Sequence, residues 1–365
     1  MSVKVCHITS AHQPYDVRIF YKECSSLSKA GYEVVFLHPG KLCEIKNGVS
    51  IIGLSIEIKN RFQRITKVVN ALFEKAIEID SDIYQLHDPE LIRLGQRLLL
   101  RGKKVIYDAH EDLPRQISGK DWIPSLLKKT IASIAERTEN RFVRKASAVI
   151  AATPFIAERF KKINRNTVEV NNFPLIEEFI ENNSFRIKEN EICYIGSISR
   201  IRGIYELVVA LDKTNVTLNL AGNFETTQIE NDLKNLTGWK KVNYFGYVDR
   251  KKINEILCRS SIGIVTLYPQ INYLDSLPIK MFEYMAAGIP VLASDFPYWK
   301  EILDRNNCGV TVNPKNTDDL SSAINLLMNN TKQMNEMGYN GRKAITEKYN
   351  WEKESLKMIN LYKSL

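Results

Sequence analysis

Residues 275–301, DSLPIKMFEYMAAGIPVLASDFPYWKE, decide the fold of the second half of this 365-residue chain. The segment MFEYMAAG predicts a helix that begins near Leu277 and ends at Gly288, because glycine is the usual residue just past a helix C-terminus. Pro278 suits the first turn, where its missing N–H leaves no hydrogen bond unmade. The apolar run IPVLAS that follows predicts a buried strand. A helix followed directly by a buried strand is typical of an α/β domain.

Two carboxylates in this segment, Asp275 and Glu283, are eight positions apart. Asp275 precedes the predicted helix, and Glu283 lies about two turns into it. The first backbone N–H groups of the helix, from Leu277, Ile279 and Lys280, have no acceptor within the helix. Because such a terminus carries about half a positive charge, it favours a phosphate in front of it. The alternative is an ordinary amphipathic helix that binds no ligand.

This arrangement resembles the nucleotide-sugar site of retaining glycosyltransferases of family 4, which have the GT-B fold. Their signature is Glu-x7-Glu followed by a Gly-x-Pro-hydrophobic strand; Asp275 stands in place of the first Glu, and AAGIPVLASD matches the strand segment. The resemblance covers essentially the whole chain and implies an α/β protein of two Rossmann-like doubly wound domains facing across a cleft. It also implies that Asp275 and the N–H groups of 276–280 position the donor sugar, while Glu283 accepts hydrogen bonds from ribose hydroxyls. The shorter Asp275 leaves the identity of the sugar open.

Strand-like and helix-like segments alternate along the rest of the chain, which predicts mainly parallel sheets covered on both faces. The chain is longer than the roughly 250–300 residues at which single cores stop growing, so we expect two domains. A polar stretch at 174–190 interrupts the alternation and is expected to be a linker between domains at 1–173 and 191–349. The resemblance implies that a closing helix, 350–365, packs back on the first domain.

The composition is that of an ordinary soluble protein, with 44% hydrophobic and 25% charged residues. No apolar run approaches the roughly 20 residues that span a bilayer, and the N-terminus is too polar for a signal peptide. The six cysteines form no C-x-x-C pair, which predicts reduced thiols rather than a zinc site or disulfides. We therefore expect a cytoplasmic protein, with the inner face of the plasma membrane as one possible location.

The net charge of +9 belongs entirely to the first half, since residues 1–170 hold 28 basic and 19 acidic residues. An anionic membrane surface, a lipid pyrophosphate or an acidic glycan would suit such a charge, as would a solvated surface with no partner. Nucleic acid is not expected, because no basic run is interleaved with stacking aromatics. One cluster of apolar residues flanked by lysines would suit either contact with a membrane or a buried helix face. It consists of Trp122, Ile123, Leu126 and Leu127 with Lys120, Lys128 and Lys129.

The segment YIGSISRIRG predicts a strand, a polar turn and a helix start, where ligands of α/β sheets commonly bind. It resembles the diphosphate-binding loop of the family, in which a basic residue precedes the glycine at the helix start; Arg202 matches that position. The family's second basic residue follows the first glycine, where this chain has Ser197, so Arg200 is expected to substitute, with Lys280 as a further candidate. By the same resemblance, the backbone of Tyr247 and Val248 would contact the nucleotide base.

Histidines follow several predicted strands of the first half. His110 ends the strand VIYDAH, and the resemblance places a functional histidine there, close to the reaction centre. His87 ends the preceding strand and is expected to line the same acceptor-side cleft with His12 and Asp16 of the first loop. A structural histidine, and a surface ion pair between Asp16 and Arg18, are the alternatives. That loop lacks the Gly-Gly pair that lets the backbone approach the donor in many members of the family.

The loop instead carries Asp-x-Arg-Ile-Phe before Lys22 and Glu23, a pattern associated by resemblance with bacterial polysaccharide assembly, including capsule and lipopolysaccharide. Asp80-Ser81-Asp82 has D-x-D spacing but lies between a predicted helix and a strand start, so no metal is expected there. No P-loop or G-x-G-x-x-G is present. We expect a metal-independent retaining hexosyltransferase without a cofactor, which uses a UDP- or GDP-sugar donor and a lipid-linked or glycan acceptor. A GT-B-type sugar-nucleotide epimerase and a non-catalytic nucleotide-sugar-binding scaffold are the alternatives.

Overall fold

The computed structural model describes residues 2–56, 63–119, 123–183 and 190–365. The chain divides into two units, one of Met1–Asn172 with Glu352–Leu365 and one of Phe173–Trp351. The polar stretch expected to be a linker falls within the second unit where it is described, as a 3-10 segment at Ile176–Asn183. Among the described residues, no helix is both long and apolar enough to cross a bilayer.

The first unit contains an eight-stranded sheet in the order β3-β4-β2-β1-β5-β6-β7-β8. Every pairing is parallel except that of β3 with β4, a short hairpin that the sequence did not predict. The strands are β1 (Lys4–Ile8), β2 (Glu33–His38), β3 (Glu44–Lys46), β4 (Val49–Gly53), β5 (Ile83–Leu86), β6 (Lys104–Ala109), β7 (Ala148–Ala151) and β8 (Thr167–Glu169). Because the central strands are buried on both faces, they read as continuous apolar runs.

The helices of the first unit cover this sheet. They are α1 (Ser25–Lys29), α2 (Val69–Ile79), α3 (Ile92–Leu99), α4 (Leu113–Ser118), α5 (Ser125–Val143) and α6 (Pro154–Lys161). The predicted helix at 18–30 is a π-helical segment, Val17–Cys24, that continues into α1. Of the predicted helix at 61–79, residues 61 and 62 lie outside the described residues.

The second unit contains a six-stranded parallel sheet in the order β11-β10-β9-β12-β13-β14. Its strands are β9 (Glu191–Ile195), β10 (Thr217–Ala221), β11 (Val242–Gly246), β12 (Ile262–Val265), β13 (Val291–Ser294) and β14 (Gly309–Val312). Each unit is therefore a Rossmann-like α/β layer structure, as predicted. In both sheets the carboxyl ends of parallel strands lie at one edge, and the loops after them carry the candidate site residues.

The helices of the second unit alternate with these strands. They are α7 (Ile204–Ala210), α8 (Thr227–Lys234), α9 (Arg250–Arg259), α10 (Ile279–Ala286), α11 (Pro297–Asn306), α12 (Thr317–Met328) and α13 (Thr331–Glu347), and the terminal helix α14 (Trp351–Ser364) enters the first unit from Glu352 onward. Helix α10 begins two residues later than predicted, because Pro278 is its N-cap, with an extended backbone at φ −70° and ψ 119°. Gly288 follows its end at φ +69°, as the sequence predicted.

Candidate functional site

The loop after β9 brings a lysine against a glycine backbone. Gly196 has φ +136°, and a Cβ built on it would lie 2.8 Å from Nζ of Lys280. A side chain at position 196 would therefore both strain the backbone and displace the ammonium group. Gly222, after β10, is equally restricted, since its Cβ would lie 1.9 Å from the carbonyl oxygen of Gly196. These glycines allow the loops to approach Lys280 closely.

Lys280 and Arg202 form the basic centre of this loop. The Nζ atom of Lys280 lies 3.9 Å from the ring centroid of Tyr194, a cation–π distance. Burial, and secondarily the guanidinium of Arg202, lower the pKa of Lys280 well below its ordinary value. The nearby guanidinium of Arg202 also opposes the burial that raises the pKa of Tyr194. The two cations are thus held near each other, which costs free energy unless an anion lies between them.

Arg200, the expected substitute for the family's second basic residue, is directed elsewhere. Its guanidinium lies 3.4 Å from Glu206 Oε1 and 4.1 Å from the ring centroid of Tyr205. The side chain is 57% exposed. Ser197 is also exposed, and its carbonyl accepts a hydrogen bond from Tyr194 Oη at 2.9 Å. Lys280, rather than Arg200, is therefore the cation that accompanies Arg202.

Glu283 is oriented by an arginine that the sequence reasoning missed. Arg250 Nη1 donates to Glu283 Oε1 at 2.6 Å, and Nη2 of the same guanidinium donates to Glu178. Burial alone would lower the pKa of Arg250, but these two carboxylates raise it above its ordinary value. Glu178 comes from the stretch predicted to be a linker. The motif FGYVDR places Arg250 three residues after Tyr247, a signal that could have identified it.

The segment before α10 is fixed by a tryptophan. Trp299 Nε1 donates to the carbonyl of Ser276 at 2.7 Å, and Leu277 packs against the core of the second unit. Asp275 is half-buried. In the first turn of α10 the N–H of Met281 donates to the Pro278 carbonyl at 3.0 Å, so the N–H groups of Ile279 and Lys280 precede the first intrahelical bond.

The two residues expected to contact the base differ in exposure. Tyr247 is 82% exposed, so its side chain lies in solvent. Val248 is half-buried and packs against the core of the second unit. A contact to a base through their backbone, rather than through side chains, remains a prediction.

At the sheet edge of the first unit, three histidines surround Asp108 of β6. Asp108 Oδ2 lies 2.7 Å from Nε2 of His110 and 3.0 Å from Nδ1 of His87. The Nε2 atom of His87 lies 2.9 Å from Nδ1 of His7, in β1. His7, His87 and Asp108 are buried, whereas the side chain of His110 is 18% exposed. The sequence predicted His87 and His110 but missed Asp108 and His7, which lie within strands.

Arg18 is a buried partner of this cluster rather than half of a surface ion pair. Its Nη2 donates to Asp108 Oδ1 at 3.0 Å, and its Nε lies 3.0 Å from Glu23 Oε1. Burial and the nearby Asp108 raise the pKa of Glu23 well above its ordinary value. Gln85 Nε2 donates to Glu23 at 2.7 Å, and Tyr362 Oη of α14 donates to Gln85 Oε1 at 2.5 Å. The terminal helix therefore completes the network within the first unit.

The first loop holds its histidine through two aspartates. His12 Nδ1 lies 3.0 Å from Asp16 Oδ2, and His12 Nε2 lies 3.6 Å from Asp88 Oδ1. The hydrogen bond that His12 donates to Asp16 raises the pKa of His12. The other oxygen of Asp16 caps the π-helical segment by accepting from the N–H groups of Arg18 and Ile19, both at 2.9 Å. Asp16 thus has a structural role as well as a contact to His12.

A cavity of about 630 Å³ lies at this edge of the first unit. Its polar wall includes His12, Asp88 and His110, and its apolar wall comes from α3, α4 and α5. The structure brings His12, His87 and His110 together around this cavity. Asp16 contacts it through His12.

Two groups of described residues have the ligand types for a metal ion: His7, Glu23 and His87, and His87, Asp108 and His110. The atoms of the second group have the spacing of hydrogen-bond partners rather than of metal ligands. Ligands about 2.0 Å from a tetrahedral ion are roughly 3.3 Å apart, whereas His110 Nε2 and Asp108 Oδ2 are 2.7 Å apart. Arg18 already neutralises Asp108. In the D-x-D triplet, Asp80 pairs with Lys103 at 2.5 Å and Asp82 accepts from the Lys4 N–H at 2.8 Å.

Comparison with known families identifies the class of protein. Residues 176–344 match the family Glycosyl transferases group 1, and residues 17–171 match Glycosyltransferase Family 4. With the two Rossmann-like sheets, these matches show that the chain is a glycosyltransferase with the GT-B fold, as the sequence predicted.

Two curated relatives are similar to parts of the chain. An uncharacterized glycosyltransferase of Methanocaldococcus jannaschii is 26% identical over 180 residues, which are 48% of this chain and 45% of the relative. The O-antigen chain mannosyltransferase C of Escherichia coli is 20% identical over 80% of this chain and 77% of its own length. The match to the first relative thus spans less than half of that protein.

A solved structure shares the whole fold. HepE of Anabaena, solved in complex with UDP and glucose, superposes with a TM-score of 0.76 over 100% of both chains at 14% identity. At that identity the similarity establishes the fold alone.

Proposed function

We propose that this protein is a retaining, metal-independent glycosyltransferase that transfers a sugar from a nucleoside-diphosphate sugar to a lipid-linked or glycan acceptor. The observation that carries the proposal is the pair Lys280 and Arg202, held near each other at Tyr194 beside the N-terminus of α10. Two confined cations and the first N–H groups of a helix suit a diphosphate. UDP and glucose in the HepE structure support the class of donor.

The chemistry that follows is stabilisation of the leaving group. Negative charge grows on the departing diphosphate in the transition state, and Lys280, Arg202 and the amides of Ile279 and Lys280 would oppose it. Glu283, oriented by Arg250 at 2.6 Å, would accept hydrogen bonds from ribose hydroxyls. Asp275 would position the sugar. We assign no enzymatic nucleophile, in keeping with front-face departure and attack.

In the first unit we propose that His110 contacts a sugar hydroxyl during transfer and that the adjoining cavity takes part of the acceptor. The polar wall suits hydroxyl groups, because histidine and carboxylate side chains are their ordinary partners. The apolar wall would suit the non-polar part of a lipid-linked acceptor. The O-antigen chain mannosyltransferase among the relatives supports a role in bacterial cell-surface polysaccharide synthesis.

We further propose that α5 rests on an anionic membrane surface. Large apolar side chains are exposed along it: Leu126 at 91%, Leu127 at 52%, Ile131 at 39% and Ile134 at 57%. Arg137 and Arg141 follow on the same side of the helix at three- and four-residue spacing and are exposed. Ile123 of the predicted cluster is buried, and Lys120 and Trp122 lie outside the described residues.

The test begins with thermal shifts against UDP, GDP, ADP and their sugars, since a ligand of the folded state raises apparent stability. Transfer is then measured with the donor so found. Arg202→Ala and Glu283→Ala are expected to reduce it by about 10²-fold or more. Arg305→Ala and Glu301→Ala, from an exposed ion pair on α11, are the matched controls and should retain activity.

Three results would refute the proposal. Wild-type rates in both site variants would show that the site is elsewhere. An epimerised nucleotide sugar formed without acceptor would indicate the epimerase. Tight binding with no turnover of any donor, in the presence of glycan and lipid-linked acceptors, would indicate a binding scaffold.

A further inference from the structure

In the histidine cluster of the first unit, one carboxylate determines which ring nitrogens carry protons and donate hydrogen bonds. Asp108 Oδ1 accepts from the Arg18 guanidinium at 3.0 Å, and an arginine side chain keeps its proton in proteins. Burial alone would raise the pKa of Asp108, but Arg18 and then His110 lower it well below its ordinary value. Asp108 is therefore a carboxylate and can only accept hydrogen bonds. The ring nitrogens of His87 and His110 that face its Oδ2 must both carry protons.

The buried side of the cluster follows from this requirement. Burial lowers the pKa of His87, so its ring is neutral, with the proton on Nδ1 and a lone pair on Nε2. That lone pair accepts from Nδ1 of His7 at 2.9 Å. Burial, and then His87, lower the pKa of His7 well below its ordinary value, so it too is neutral. Each assignment agrees with the next, as a continuous chain of hydrogen bonds between these buried groups requires.

His110 lies on the cavity side of the same carboxylate. Its Nε2 lies 2.7 Å from Asp108 Oδ2, and its ring edge meets the ring of His12 at a centroid distance of 5.6 Å. The side chain is 18% exposed and lines the cavity. In the neutral form of the ring, with Nε2–H committed to Asp108, the lone pair is on Nδ1.

We propose that Asp108 is a positioning residue that holds His110 with its proton on Nε2, so that Nδ1 accepts a hydrogen bond from a sugar hydroxyl. A diphosphate oxygen has no proton to offer, so His110 in this form serves a hydroxyl and not the leaving group. This inference rests on the proposed glycosyl transfer and deepens it by naming the residue that orients His110 for its hydroxyl partner. The role of a carboxylate that fixes a histidine tautomer is known from other enzyme classes.

The first experiment needs no turnover. Two-dimensional ¹H–¹⁵N spectra of the histidine rings, recorded at about pH 8, report which nitrogen carries the proton. The His110 signals are assigned by their loss in His110→Gln. We expect a protonated Nε2 and an unprotonated Nδ1. A proton on Nδ1, alone or together with one on Nε2, would overturn the inference and leave the proposed transferase activity untouched.

The second experiment replaces the carboxylate that holds the His110 proton on Nε2. In Asp108→Asn the amide can present its NH₂ group to His110, which would move the histidine proton to Nδ1. We expect kcat to fall by about 10²-fold, the low end for loss of one oriented hydrogen-bonding group in an active site, with the KM for donor changed less than about threefold. The ring spectra should show the Nδ1–H form at the same time. Asp112→Asn, which alters a carboxylate paired with Arg159 at 3.3 Å in the same loop, is the control and should keep wild-type kcat.

Folding is the remaining variable, because Asp108→Asn leaves the buried Arg18 without its charge partner. The double variant Asp108→Asn/Arg18→Met removes that cation and is used where the single variant does not fold. Wild-type kcat in either folded variant overturns the positioning role. A fall in kcat with an unchanged tautomer also overturns it, because Asp108 would then act in another way.

Discussion

Replacing Lys280 with methionine tests the electrostatics of the second unit most directly. Methionine keeps much of the volume of the side chain and of its contact with the Tyr194 ring, now 3.9 Å from the ammonium, while removing the charge. An ammonium and a phosphate oxygen about 4 Å apart interact by about 4 kcal/mol at an effective dielectric constant of about 20. Measured losses for one such oriented group are about 2.7–4 kcal/mol. We therefore expect Lys280→Met to reduce transfer by about 10²–10³-fold.

The depressed pKa of Lys280 adds a second, independent signature. Burial lowers this pKa in the free protein, with Arg202 as a smaller cause, and a bound diphosphate would raise it again. The folded protein binds fewer protons than the unfolded chain between the depressed and the ordinary pKa. Its stability consequently rises with pH through that window, up to the ordinary lysine value of about 10.4. Binding of a nucleoside diphosphate in the same window should take up protons.

Calorimetric titration of nucleoside diphosphate in buffers of different ionisation enthalpy measures that uptake. We expect proton uptake by the wild type between the depressed pKa of Lys280 and the ordinary lysine value of about 10.4, and its loss in Lys280→Met. The control is Lys315→Met, which also removes an ammonium near a tyrosine ring, 4.9 Å from the centroid of Tyr268, but from an exposed residue. Equal proton uptake in the wild type and Lys280→Met, or wild-type transfer by Lys280→Met, would refute the reasoning.

Three further predictions follow from local geometry. Gly196→Ala should weaken nucleotide binding by more than about tenfold, because a Cβ at φ +136° would lie 2.8 Å from the ammonium group of Lys280. Unchanged affinity in isothermal titration would contradict this. Asp16→Ala should lower the free energy of unfolding by about 1–2 kcal/mol and Asp16→Asn by less, since only the amide can still cap the helix, as urea melts can determine. Burial alone would raise the pKa of Asp16, but the hydrogen bonds that it accepts from His12 and from the Ile19 N–H, with further smaller causes, together lower it to about 2. Its stabilisation is therefore complete above about pH 4 and is lost as the pH falls towards 2. Leu127→Glu and Ile134→Glu should each reduce sedimentation with phosphatidylglycerol vesicles more than the equally exposed Leu326→Glu, and equal sedimentation of all three would argue against membrane contact through α5.

The sequence predicted the architecture because its signals are local. Apolar runs and glycine at helix ends depend on neighbours in the chain, and the position of Gly288 after α10 shows such a signal at work, with φ +69°. The short hairpin of β3 with β4 was missed, because Glu44–Lys46 is too short and polar to produce a strand pattern. The helix N-terminus at Pro278 was misplaced by two residues, since proline is compatible with both the N-cap and the first turn.

The partners of the site residues could not be predicted, because they depend on contacts between distant segments. Arg200 was chosen for the diphosphate by its place in the loop, and only the structure shows it paired with Glu206. Lys280 is 84 positions from Gly196, yet their atoms meet because β9 and α10 are neighbours in the fold. Asp108 lies inside an apolar strand pattern, where an isolated carboxylate gives no indication of the three histidines around it.

The distribution of charge explains why the two units suit different groups. In the first unit, the carboxylate of Asp108 and the guanidinium of Arg18 offset each other, the buried histidines are neutral, and Glu23 has a raised pKa. This network has hydrogen-bonding capacity but little net charge, which suits hydroxyl groups. In the second unit, Lys280 and Arg202 are basic groups near each other at Tyr194, and an anion would favour the protonated, charged form of Lys280. The +9 charge of the first half therefore does not identify the proposed phosphate site. Exposed Arg137 and Arg141, near the apolar face of α5, are part of that excess, and in our proposal their partner is an anionic surface rather than a nucleotide.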